Sequence, residues 1–174
     1  MHDIIKNHGI YFKGALKLFS SLILLISLIA CSDPQQIENP RSPVIFESGD
    51  ECHVCGMLIT KLPGPKGQAF DKRSPRIRKF CSTFDLISWY LQPENQANVA
   101  EIYVHDMADT DWDNPDDTQL ISARSAFFVV GSKRKSSMGK SIASFAKQQD
   151  AELFIQQWGG HIRSLEQLTI ESIF

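Results

Sequence analysis

"KFCSTFDLISWYL", Lys79 to Leu91, takes the chain from the end of one strand into the first turns of a helix. Ser82 supplies a hydroxyl that can accept from a free amide of the first turn, and Asp85 follows three residues later. This is a capping-box arrangement with aspartate in place of glutamate. Phe84, Ile87, Leu91 and Trp89 would then line the buried face. Upstream, residues 68–72 and 77–81 read as two strands joined by a basic loop. Downstream, "ANVAEIYVHDM" alternates, with Val99, Tyr103 and His105 on one side and Ile102, Val104 and Asp106 on the other. The second half follows the same course. "ARSAFFVVGS" is a strand, a Lys/Arg/Ser loop follows, and "SIASFA" is a second strand. Asp150 would cap "AELFIQQW", Gly159-Gly160 would end that helix, and "RSLEQLTI" would be the last strand. The expectation is an α+β domain over residues 44–174, built as ββαβ twice, with "PVIFE" a short leading strand.

The N-terminal segment sets the compartment. Lys6, Lys13 and Lys17 precede an apolar run, Leu18 to Ala30, which is short for a membrane span and fits the hydrophobic part of a secretory signal. "LIAC", Leu28 to Cys31, resembles the bacterial lipobox. Residues 1–30 are therefore read as a removed signal and Cys31 as a lipidated first residue, anchored to the membrane without spanning it. Residues 31–43 are polar and proline-rich and read as a tether. Ser32 after Cys31 resembles outer-membrane sorting. The formal net charge of −2 argues against wholesale nucleic-acid binding. Lys66, Lys72, Arg73, Arg76, Arg78 and Lys79 read first as a solvated hairpin face, with a docking patch for an acidic partner as the second reading. Asp109, Asp111 and Asp113 have calcium-loop spacing. Asn114 and Leu120, however, stand where such a loop needs glycine and glutamate.

With Cys31 lipidated, Cys52, Cys55 and Cys81 remain. Three thiols in an oxidising compartment cannot all pair within one chain, which points to chemistry rather than a disulfide scaffold. In "CHVCGM", Cys52 and Cys55 can share one turn, and Gly56 lets backbone pass close to an ion. Met57 would point with Cys55 if the chain is extended there. Thiolate and thioether donors together suit Cu(I). Met107, beside His105 at a strand end, is a second sulfur in an unusual place, and Met138 in "SSMG" is a third. Two alternatives stand beside copper. One is structural zinc on Cys52, Cys55, Cys81 and His53 or His105. The other is a thiol–disulfide enzyme, although "GMLIT" after Cys55 reads as strand where such an enzyme needs a helix start. No nucleophile–base pair, phosphate loop or dinucleotide motif is present, so an enzyme is not the expectation.

"CHVCGM", "PGPKGQAF", "FCSTFDLISWYLQPE", "YVHDM", "WDNP", "FFVVGS", "MGKSIASFA" and "WGG", in that order, resemble the NosL family of periplasmic lipoproteins that accompany nitrous oxide reductase. The resemblance implies a Cu(I) chaperone with a duplicated ββαβ fold. Such a protein passes copper to an ABC-type assembly complex and so toward the copper centres of the reductase. The family pattern D-x-C-x-x-C-G-M falls on Asp50, Cys52, Cys55, Gly56 and Met57, and its second sulfur source resembles Met107. The resemblance therefore implies Cys55, Met57 and Met107 as first ligands and Cys52 as an alternative thiolate. His105, Cys81 and Met138 are further candidates.

Overall fold

The computed structural model describes residues 41–174. The expected signal segment, the expected lipidation site at Cys31 and most of the expected tether lie outside the described residues. Strand β1 is Gly67–Asp71 and β2 is Ile77–Phe80, joined as a hairpin. Helix α1 is Thr83–Tyr90, and a second short helix, α2, is Pro93–Asn98. Strand β3, Val99–His105, pairs antiparallel with β1, and β4, Leu120–Ser122, pairs with β3. The first sheet therefore runs β2-β1-β3-β4. The second half contributes β5 (Phe127–Val130), β6 (Ala143–Phe145), helix α3 (Gln148–Trp158), β7 (His161–Arg163) and a final turn of helix, α4 (Ile170–Ile173). Its sheet runs β6-β5-β7, again antiparallel. The α+β expectation is met by two antiparallel sheets.

Helix α1 starts where its cap requires. The Asp85 amide donates to the Ser82 hydroxyl at 3.0 Å. Its buried residues are Thr83, Leu86 and Ile87, while Phe84, Trp89 and Leu91 are only half-buried. The face thus turns about one residue from the expected one. Gly67 explains the close seat of α1 on β1: a methyl there would lie 2.3 Å from Leu86 Cδ2.

Phe128 and Val130 of β5 join Ile102 and Val104 of β3 and Leu86 of α1 in one core, so the two sheets share their apolar interior. The opposite face of β5, through Val129, packs with Ala143, Phe145 and Ala151 under α3. Alternation along one strand therefore serves two cores. In β3 the expected alternation is broken. Phe70 stands opposite Glu101 but Asp71 stands opposite Val99, so β3 carries a bulge. The extra residue brings Val99 into the same core as Ile102 and Val104, not onto the side of Tyr103 and His105.

Four further expectations are corrected. Residues 44–47 form no strand. Side chains satisfy their backbone instead: the Val44 amide donates to Gln68 Oε1 at 3.0 Å, and the Phe46 amide to Asp117 Oδ2 at 2.8 Å. After Cys55 there is one isolated bridge, Glu51 to Leu58, and a 3-10 turn over Ile59–Lys61. The last strand ends at Arg163, and "LEQ" is a 3-10 turn closed by a Ser164–Gln167 capping box. Helix α3 also begins earlier than read, with Lys147 at the cap and Asp150 inside the first turn.

Gly160 lies at φ +107°, and a Cβ there would stand 2.7 Å from the Val130 carbonyl oxygen and 2.9 Å from Val129 Cγ1. Gly160→Ala is expected to cost about 2 kcal/mol or more, since backbone strain and a backbone clash coincide. Gly49→Ala, with nothing within 4 Å, should stay within about 0.5 kcal/mol. Urea unfolding of the two variants checks the difference.

Candidate functional site

The cysteine motif folds as a tight knuckle. The Cys52 amide donates to Met57 O and the Gly56 amide to Cys52 O, each at 2.9 Å. Gly56 takes φ +71°, a left-handed value that glycine adopts without steric cost. The knuckle is pinned to the hairpin because the His53 amide donates to Lys79 O at 2.8 Å. Lys79 also pairs with Asp50. Beta-strand β2 therefore delivers Cys81, one residue past its end, beneath the knuckle. Helix α1 adds Asp85 one turn later.

The ligand atoms of Cys52, Cys55, Cys81 and Asp85 all lie within 4.8 Å of one another. Cys55 Sγ is 3.6 Å from Cys81 Sγ, and the Cys81 thiol donates to Asp85 Oδ2 at 3.1 Å. Cys52 and Cys81 are buried beside Phe46 and Ile59, whereas Cys55 is exposed. The site therefore has a dry floor and one sulfur at its mouth. A hydrogen bond from Cys81 pulls the Cys52 thiol well below its ordinary pKa, against the opposing effect of burial. The same hydrogen bond, burial and the bond to Asp85 push the Cys81 thiol up.

The other sequence-derived candidates are placed as follows. Met57 is exposed on the knuckle and Met138 is exposed in a separate turn between Ser136 and Gly139. Met107, at 8% exposure, packs with Trp112, Val129 and Phe145, a different cluster from the one holding Cys52 and Cys81. His53 stacks edge-on against Phe80 and Trp89. Among the described residues, the grouping of three cysteines includes neither His53 nor His105. From the sequence, Asp85 reads as a cap alone. Its spacing of four from Cys81 across a helix start was the available signal.

His105 is fully buried with both ring nitrogens engaged. Nδ1 accepts from the Lys66 amide and Nε2 stands 3.0 Å from Asp117 Oδ1. Lys66, expected in the solvated face, is itself buried, with Nζ 3.4 Å from Gly64 O. Burial lowers the His105 pKa, against the raising effect of Asp117. A folded pKa below the unfolded one means stability that is present above the ordinary imidazole value of about 6.5 and is lost as pH falls through the folded value. The urea midpoint should therefore drop between neutral and mildly acidic pH, and His105→Gln should flatten that drop. An equal drop in the variant removes His105 as its source.

The NosL family model matches residues 43–173. The copper-binding lipoprotein NosL of Stutzerimonas stutzeri is 46% identical over 148 residues, covering 85% of this chain and 77% of its own length. The copper-binding lipoprotein NosL of Achromobacter cycloclastes is 38% identical over 120 residues, covering 67% of this chain and 62% of its own. A crystal structure of the copper chaperone NosL from Shewanella denitrificans superposes with a TM-score of 0.74 at 46% identity, covering 76% of this chain and 98% of that one. With the family pattern running through the knuckle and the match extending over nearly all of the described residues, this chain belongs to the NosL family.

Proposed function

We infer that this protein is a lipid-anchored Cu(I) carrier on the periplasmic side of a bacterial membrane. It supplies copper, through an ABC-type assembly complex, for maturation of nitrous oxide reductase. Anchoring at Cys31 with Ser32 behind it favours the outer membrane. The relatives' copper binding supports the metal, and the observation that carries the oxidation state is the convergence of three sulfurs within 4.8 Å. Soft, polarisable donors on a dry floor suit a monovalent soft ion, and the oxygen of Asp85 is the only hard atom in the group.

Cys55 is proposed as the anchoring ligand, because its sulfur is at the mouth and has Cys81 3.6 Å away. Cys52, with its depressed pKa, offers a thiolate at low cost. Met57, beside them on the exposed knuckle, and Met107, at the end of β3, are proposed as thioether donors. Cu(I) accepts few ligands in flexible geometry. An incoming donor can therefore bind at the exposed side before Cys55 leaves, and the copper ion is never free. Asp85 accepts the Cys81 proton's hydrogen bond and holds that sulfur in place while the others exchange.

X-ray absorption on the anaerobically loaded, reduced protein should show a first shell dominated by sulfur. A shell of nitrogen and oxygen alone overturns the assignment. The thiol-exchange reading rests on the depressed Cys52 pKa, and insulin reduction by metal-free protein would support it.

A further inference from the structure

A second feature lies against the knuckle. A pocket of about 260 Å³ opens between the β1–β2 hairpin and helices α1 and α2, with Arg73, Arg78, Trp89, Asn95 and Asn98 among its walls. Trp89 also touches the knuckle, because the His53 ring meets it edge-on at 5.7 Å. Arg78 is fixed in the wall. Its guanidinium stacks over Trp89 at 5.2 Å and pairs with Asp71, and its buried Nε has no hydrogen-bond partner. Around this pocket, positive charge exceeds what the fold neutralises. Arg78 is offset by Asp71 and Lys79 by Asp50. Among the described residues, Lys72, Arg73 and Arg76 have no carboxylate partner. Nor has Arg41, which binds the hairpin turn through Ser74 O at 3.2 Å. All this sits on a chain whose net charge is −2.

The geometry points to a docking site for an acidic segment of a partner protein, seated in the Arg73–Arg78–Trp89 pocket beside the mouth of the cysteine cluster. This rests on the carrier reading for its purpose and on the pocket for its existence. A concave site with an oriented guanidinium suits a carboxylate side chain, which arginine holds in fixed, two-point geometry. A flat lipid surface would use the exposed cations and leave the pocket unfilled. Docking there would hold a partner next to the knuckle, whose His53 meets Trp89 and whose Cys55 is exposed, and steering by unpaired charge would speed the encounter.

The test uses the reduced, metal-free, full-length protein in non-ionic detergent and a fluorescein-labelled polyglutamate peptide. Fluorescence anisotropy should show binding that weakens as salt rises, and Arg73→Glu with Arg76→Glu should weaken it at least roughly tenfold. Both positions are exposed on the hairpin loop, away from the core. The Trp89 indole N–H resonance should move on titration while those of Trp112 and Trp158 stay. Lys133→Glu with Lys135→Glu, on a separate basic turn, should leave binding unchanged. An equal loss in that control, an unmoved Trp89 resonance, or preference for phosphatidylglycerol vesicles over the peptide overturns the proposal. Cu(I) affinity, measured separately on wild type, addresses the carrier reading alone. Its absence there would leave the peptide result standing.

Discussion

Cys55→Ser is expected to lower Cu(I) affinity at least roughly 100-fold, because it removes the exposed cysteine of the cluster, the proposed anchoring thiolate. Anaerobic competition with a bathocuproine chelator reads the change. Serine keeps the volume and supplies an oxygen, so the loss reports donor softness and not a collapsed knuckle. The knuckle's own bonds are backbone, from the Cys52 amide to Met57 O and from the Gly56 amide to Cys52 O. Cys81→Ser is a sharper version of the same question. Its hydroxyl can still donate to Asp85, so the helix cap and the floor stay as they are and only sulfur is lost. Met57→Ala combined with Met107→Ala should weaken binding by roughly tenfold. Wild-type affinity in that double variant takes the thioethers out of the site, and wild-type affinity in Cys55→Ser removes the site itself.

Phe128→Ala should destabilise the protein by about 3–5 kcal/mol, a large part of the total stability of an ordinary domain. Phe128 is fully buried on the central strand of the second sheet, yet its side chain belongs to the core shared with β3 and α1. Truncation leaves a void bounded by both sheets, and close-packed surroundings collapse only partly around such a space. Chemical denaturation followed by tryptophan fluorescence should show one transition at a lower midpoint. A loss under about 1 kcal/mol would mean that the two sheets do not depend on this contact. Phe127→Ala, on the half-buried neighbour that faces α3, should cost less.

Local chemistry was sufficient for much of this molecule. Ser82 and Asp85 announced the start of α1, and Gly159 the end of α3, because caps are decided within one helical turn. The basic loop between alternating runs marked the β1–β2 hairpin, and "CHVCG" marked a turn with two sulfurs on it. The family pattern pointed to copper on those same residues. What the chain did not display locally depends on partners distant in sequence. The bulge in β3 moved Val99 to the core because β1 sets the register there. Residues 44–47 read as strand, but Gln68 and Asp117 side chains took their backbone bonds before any neighbouring strand could. His105 and Lys66, both read as available polar groups, were buried against each other by the pairing of their strands. The third sulfur is the clearest case. Cys81 lies 26 residues from Cys55, and only the docking of the knuckle on the end of β2 brings the two within 3.6 Å. Turns and caps are short-range and can be read from the residues that make them, whereas a site drawn from separate elements exists only once the sheet register and the core have placed them.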